Sequence, residues 1–358
     1  MMKHKLTLSL PILFLALGLT ADAHASTLYV NGAKGSDSNN CKSAQHACKT
    51  IGHAIGLASS GDTVKVAAST YKENLDIGIS LNILGANART TIVDGNQSKT
   101  VFTISSPSAV VLLSGLTIQN GSAAGGYAGG ITNEGPLTVS NSTITGNDGS
   151  GGYGGGIVNI ESTLTVLNST ITGNSAAKGY GGGIVDLEGT ATVTNSTITA
   201  NSATDGYVGG IANVEGTLTV SSSTITANSA SGGYAAGVAN IEGTTTSQNT
   251  ILANSGANCY GTVSSSGYNL SSDDSCNFNG KGDKSDTEPK LGTLGYYGGP
   301  TQTIPELLKS PTVDKGNPKG CTDGEGHKLT TDQRGDPRPG KDKTDKRCDI
   351  GAYERQTD

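Results

Sequence analysis

The chain has no tryptophan, only two methionines and three phenylalanines, and aromatic residues make up 4% of it. Charged residues contribute 15% and hydrophobic residues 34%. An ordinary helical or doubly wound domain of 358 residues would need more large apolar side chains than this. A disordered chain would normally carry more charge. Basic residues are almost missing from the middle: Thr100 to Gly280 holds no arginine and one lysine, Lys178, and no histidine lies between His53 and His327. A formal charge of -6 speaks against a nucleic-acid partner. What the chain does have is glycine, 53 residues, roughly twice the usual share. The glycines follow no three-residue period, which excludes collagen. An all-β architecture of many short strands, small residues and turns is left.

The first 25 residues read as a secretion signal. Lys3, His4 and Lys5 precede an apolar run from Leu6 to Leu19, and Ala23-His24-Ala25 offers a small-x-small cleavage site. About 14 apolar residues are too few to span a bilayer, and no second such run follows. The chain ends four residues after Glu354 without an apolar tail. A secreted, extracellular protein without membrane insertion is therefore expected. Export gives meaning to Cys41, Cys48, Cys259, Cys276, Cys321 and Cys348. Six cysteines allow 15 connectivities. Pairing of neighbours closes short loops, and three local disulfides are the expectation.

Internal repetition is the strongest signal. Tyr127, Tyr153, Tyr180, Tyr207 and Tyr234 are 26, 27, 27 and 27 residues apart. Each unit reads Gly-Gly-Ile-x-Asn, then Leu-Thr-Val, then Ser-Thr-Ile-Thr-x-Asn, which makes three short strands separated by turns. Three strands of about four residues cannot close a core alone. Stacked ~4.8 Å apart, each pairs with its copy in the next unit. The result is a single-stranded right-handed parallel β-helix of ~27-residue rungs, the sense that parallel crossovers take. Asparagines recur after each strand: Asn159, Asn213 and Asn240 after the first, with Asp186 substituting once; Asn141, Asn168 and Asn195 after the second; Asn147, Asn174, Asn201, Asn228 and Asn254 after the third. Such residues suit left-handed turns or stacked amide ladders. The sequons at Asn141, Asn168 and Asn195 are read the same way, as turns.

Upstream, Thr63–Val66, Leu81–Leu84, Thr91–Val93, Val101–Ile104 and Val110–Leu113 read as further strands. Ile51, Ala54, Ile55 and Ala58 have helical spacing, suited to a cap over the open end. The expected organisation is a signal at 1–25, an N-terminal cap at 26–62, the coil at 63–270 and a disulfide-containing C-terminal cap at 271–358.

These motifs resemble known families. Cys48-Lys-Thr-Ile-Gly-His-Ala-Ile, Gly61-Asp-Thr-Val and Thr70-Tyr-Lys-Glu look like the entry to secreted β-helix proteins of the pectin-lyase type. The Gly-Gly-Ile and Ile-Thr-x-Asn units resemble polymorphic outer-membrane-protein repeats, with Ile where that family commonly has Phe. Gly298-Gly-Pro-Thr, Asp332-Gln-Arg-Gly-Asp-Pro-Arg-Pro and Cys348-Asp-Ile-Gly-Ala-Tyr-Glu are similar to the choice-of-anchor Q domain of bacterial exported proteins. The resemblance implies fold and secretion far more than chemistry.

Pectate lyases on this fold pair calcium-binding carboxylates with a basic residue, and the repeats between Thr100 and Gly280 have no arginine to offer. Hydrolysis needs clustered carboxylates facing one cleft, and the only adjacent pair is Asp273-Asp274, outside the repeats. No catalytic residue is assigned. The expectation is a non-catalytic scaffold for surface interaction or polysaccharide binding; the alternative is a polysaccharide lyase or hydrolase with an atypical site. Two columns are candidates for ligands. Tyr153, Tyr180 and Tyr207 sit in glycine-rich loops, where their rings either stack on one another or offer faces to a glycan. Glu161, Glu188, Glu215 and Glu242, preceded by Glu134, form a carboxylate column, either a solvated turn or a calcium ladder. No other cofactor is implied. Asp332, Arg334, Arg338, Asp349 and Glu354 read as a salt-bridged cap.

Overall fold

The fold is given by a computed structural model that describes residues 25–340 and 347–357. Of the expected signal segment, only Ala25 lies among the described residues. Three parallel sheets of eight, ten and nine strands wind into one right-handed β-helix. In a typical rung the first strand is Ile157–Ile160, the second Thr163–Leu167 and the third Thr170–Thr172. Every strand pairs with its copy one rung away, in register. Ile157 meets Ile184, Leu164 meets Ala191 and Ile171 meets Ile198. Inward side chains thus stack as columns, and the core runs unbroken from Leu28 to Phe278. Burying one such Ile, Leu or Val contributes roughly 1.5–3 kcal/mol.

The coil begins earlier than the sequence suggested. Thr27–Val30, within the segment expected to be only a cap, is the first strand of the second sheet and pairs with Thr63–Val66. Ser69–Lys72 and Leu75–Ile77 are also strands that the pattern had not revealed. Their apolar positions are interspersed with Ser, Lys and Asp, and four residues are too few for alternation to show. The helix falls where its spacing placed it, at Ile51–Leu57, with Ile51 and Ala54 in the core. Thr50 caps it, and the Glu73 carboxylate accepts from the backbone N–H groups of Ile51 (2.9 Å) and Gly52 (2.7 Å).

A fourth sheet was not foreseen. Ser175–Ala177, Ser202–Thr204 and Ser229–Ser231 pair in register. Ser and Ala carry little strand preference, so register inherited from the other sheets forms these strands. The loop that follows folds back over the outside of the first sheet and buries Val158, Val185, Ala212 and Ala239 in a second apolar cluster.

All six cysteines pair as neighbours: Cys41–Cys48, Cys259–Cys276 and Cys321–Cys348. The segment after Leu270–Ser271 crosses the last rung, where the Lys284 N–H donates to the Asn269 carbonyl (2.8 Å). The tail then does more than end the coil. It runs back along the third sheet, where Thr170 Oγ1 donates to the Gln302 carbonyl (2.6 Å) and Thr197 Oγ1 to Gln333 Oε1 (2.6 Å). Gln333 Nε2 returns bonds to Thr170 Oγ1 (3.0 Å) and the Gln302 carbonyl (2.9 Å). Thr170, Thr197 and Thr224, outward residues of this sheet that bond to the tail, are buried. Among the described residues no helix is long and apolar enough to cross a membrane.

Candidate glycan-binding face

Each repeat tyrosine stands at the end of the loop that covers the first sheet. Gly151 turns that loop at φ +86°, where a side chain would be strained. At Gly152 a β-carbon would fall 2.6 Å from the carbonyl oxygens of Gly126 and Tyr127, so only glycine lets successive loops lie this close. Backbone bonds then fix the spacing: the Tyr153 N–H donates to the Tyr127 carbonyl (2.8 Å) and the Tyr180 N–H to the Tyr153 carbonyl (2.7 Å). The side chains have no choice but to meet.

They meet face to face. Ring centroids from Tyr127 through Tyr153, Tyr180, Tyr207 and Tyr234 are separated by 5.4, 5.4, 5.2 and 5.1 Å. A sixth ring, Tyr260, extends the stack at 4.3 Å. Sequence reasoning missed Tyr260 because it belongs to a strand, Cys259–Tyr260, and lacks the glycine loop. The available signal was its distance of 26 residues from Tyr234, equal to the first step of the repeat.

Of the two readings of this column, the geometry is that of rings stacked on one another. Tyr153, Tyr180 and Tyr207 have both faces covered by neighbouring rings, so none of them offers a face to a sugar. What they present is a rim. Tyr153 and Tyr207 are each 39% exposed, and Tyr180 is half-buried. None of the six hydroxyls bonds to another described residue, nor is any among the buried polar atoms left without a partner. The rim is thus a row of phenol groups about one strand spacing apart, five of its six members exposed.

The glutamate column occupies the turn at the other edge of the first sheet. Glu161, Glu188, Glu215 and Glu242 are exposed and hold φ of 48°, 54°, 58° and 61°. The backbone makes the column, because the Glu161 N–H donates to the Leu187 carbonyl (2.8 Å) and the Glu188 N–H to the Val214 carbonyl (2.9 Å). Calcium takes six to eight oxygens at once. No three of these carboxylates converge; the only group of three candidate ligands within 4.8 Å among the described residues is Cys41, Cys48 and His53. Two of those sulfurs are already joined in a disulfide. The glutamate turns are not shaped as a calcium cage.

Charged residues of the tail come together but are committed to structure. Arg334 Nη2 lies 2.7 Å from Asp332 Oδ2, and Arg338 Nη1 lies 3.2 Å from Glu354 Oε2, with both pairs buried. Asp332 also accepts from the backbone N–H groups of Arg334, Asp336 and Glu354. Arg338 Nη2 donates to the Gly351 carbonyl (2.6 Å). On the coil, the one carboxyl pushed far from its usual range is Asp186, raised by burial to about 6, and it is fully buried.

No family model matches the chain, and no curated relative does. Among solved structures, a pectate lyase, Pel9A, is similar at 14% identity and a TM-score of 0.42, over 92% of this chain and 97% of that one. A pectin methylesterase from Aspergillus niger is similar at 15% identity and a TM-score of 0.35, over 69% and 90%. At these values the likeness adds nothing to the fold that the strand pairing already establishes.

Proposed function

We propose that the protein is a secreted, non-catalytic β-helix scaffold that binds an extended polysaccharide or cell-surface glycan along its tyrosine column. The observation that carries this reading is the row of six stacked tyrosines, 4.3–5.4 Å from ring to ring, whose hydroxyls have no hydrogen-bond partner among the described residues. A linear glycan lying along the coil axis meets one hydroxyl per rung, and sugar hydroxyls both donate and accept. Each such bond contributes roughly 0.5–1.5 kcal/mol net, so a polymer that spans several rungs is favoured over a monosaccharide. Stacking fixes the rings before the ligand arrives, which lowers the ordering cost of binding. Three disulfides fit an oxidising compartment. The lyase or hydrolase alternative draws no support from the repeats between Thr100 and Gly280, whose single basic residue is the exposed turn residue Lys178.

The test separates rim from ring. A glycan array is probed with the mature protein and with the triple variant Tyr153→Phe, Tyr180→Phe and Tyr207→Phe, which keeps the stack but removes three hydroxyls. Retention of a polysaccharide by the wild type, weakened at least tenfold in the variant with unchanged β-type circular dichroism, is the expected result. A wild type that binds no glycan, or a variant that binds equally well, overturns the reading.

A further inference from the structure

The amide column inside the first sheet has one residue per rung: Asn133, Asn159, Asp186, Asn213 and Asn240, each in register with the next. Along most of it, Nδ2 of one residue donates to Oδ1 of the next. Asn133 donates to Asn159 (2.6 Å), Asn159 to Asp186 (2.7 Å) and Asn213 to Asn240 (2.9 Å). The step from Asp186 to Asn213 is missing. Asp186 Oδ2 and Asn213 Oδ1 are both buried and both without a hydrogen-bond partner. They border the same small space, since a β-carbon placed on Gly216 would lie 2.6 Å from the first and 2.8 Å from the second. Two acceptors face one gap.

Rotating the Asn213 amide does not resolve it. Its Nδ2 is surrounded by acceptors on the far side: Asn240 Oδ1 (2.9 Å), the Gly216 carbonyl (3.1 Å), the Thr244 carbonyl (3.1 Å) and Thr245 Oγ1 (3.1 Å). A neutral carboxylic acid, by contrast, has nearly the shape of an amide, with O–H where the amide has N–H. A proton on Oδ2 supplies the one donor that the column lacks.

We propose that this gap is a proton site: Asp186 takes up a proton and donates it to Asn213 Oδ1, joining the two halves of the column, so that the coil is tied most firmly in mildly acidic medium. The bond formed is O–H···O, the proton comes from solvent, and nothing else changes covalently. The surroundings favour uptake. Burial away from water raises this carboxyl to about 6, the bond from Asn159 opposes that only in part, and no charged group contributes. The other acids on the flanking turns, Glu188 and Glu215, are exposed to solvent.

The folded protein holds this proton more tightly than the unfolded chain, whose carboxyl titrates near 3.8. The stabilisation is therefore complete below pH ~4 and is lost as pH rises through ~6. A difference of about two pH units corresponds to roughly a hundredfold in the unfolding constant. Urea unfolding of the wild type and of Asp186→Asn, run in parallel from pH 4 to pH 8, reads this directly. Equal stability at pH 4, widening to an unfolding constant about a hundredfold smaller in the variant at pH 8, is expected. A gap that does not change with pH, or a variant less stable at pH 8, overturns the proposal. Carbon-13 NMR of the Asp186 carboxyl gives an independent reading: a midpoint near the ordinary carboxylate value rules the site out even if the variant misfolds.

Discussion

Replacing Asn201 by Ala tests whether the ladder under the third turn holds the rungs together. Asn201 is fully buried, and its side chain makes four bonds. Its Nδ2 donates to the Ile171 carbonyl (3.0 Å) and to Asn228 Oδ1 (3.0 Å), while its Oδ1 accepts from the backbone N–H of Asn174 (3.1 Å) and from Asn174 Nδ2 (3.0 Å). Truncation leaves the Asn174 N–H and one of its amide hydrogens unpaired and strips a donor from the Ile171 carbonyl. Each buried group orphaned in this way costs about 1–3 kcal/mol, so the variant should lose roughly 3–5 kcal/mol once partial relaxation is allowed. That is a large share of the 5–15 kcal/mol typical of a folded domain. Asn201→Asp is the sharper companion. It puts a second acceptor opposite the Ile171 carbonyl and Asn228 Oδ1, and its damage should exceed that of Ala at pH 8 and shrink at pH 4. Equilibrium urea unfolding followed by far-ultraviolet circular dichroism measures both. A loss under 0.5 kcal/mol in Asn201→Ala would refute the reasoning, because it would mean that strand pairing alone carries the stack.

The tail and the disulfides give two further expectations. Gln333→Ala removes the side chain that ties Thr170, Thr197, Thr301 and the Gln302 carbonyl together, so limited proteolysis should cut between 300 and 340 much faster while the coil survives; an unchanged digestion pattern would show that the tail is held elsewhere. Replacing Cys259 and Cys276 by Ser opens a loop of sequence separation 17 beside the last rung. By loop entropy that should cost about 3 kcal/mol in unfolding experiments under non-reducing conditions, and an unaltered midpoint would count against a role in closing the coil.

What could be read in the sequence was whatever repeats. The Ile, Leu and Val positions of the rungs from Ile131 onward recur with a period that itself implies stacking, and they fall in register as expected. The asparagines divided their work in a way no single rung reveals. Asn141, Asn168 and Asn195 hold left-handed turns at φ near 50°, whereas Asn147, Asn174 and Asn201 are buried ladder members. Both tasks suit the same side chain, and only the backbone distinguishes them. The turn Asn195 is covered by the tail and donates to the Thr331 carbonyl (2.8 Å), which leaves its sequon no room for a glycan. The path of the tail was illegible because its contacts join residues more than 100 apart through Gln, Thr and backbone groups, without periodic spacing. For the candidate face, the tyrosine column was legible from spacing and stacking was one of its two readings, but only the ring-to-ring distances decide between them.

The tail also counts. Rungs built from near-identical units invite gain or loss of a unit by duplication or deletion, and the coil itself has little to resist it. The tail does. Its separate stretches touch successive rungs in a fixed order: Thr301 and Gln302 on Asn168 and Thr170, Thr331 and Gln333 on Asn195 and Thr197, Ala352 on Thr224, and Gly351 on Asn249. At its far end Tyr296 lies under the guanidinium of Arg89, 4.0 Å from the ring centre. Inserting one 27-residue rung between these anchor points would shift part of the tail by a whole strand spacing, and its side-chain bonds would no longer find partners. A chain of this design is a ruler fastened to the stack it measures, so its length is set by a segment that contributes no rung of its own.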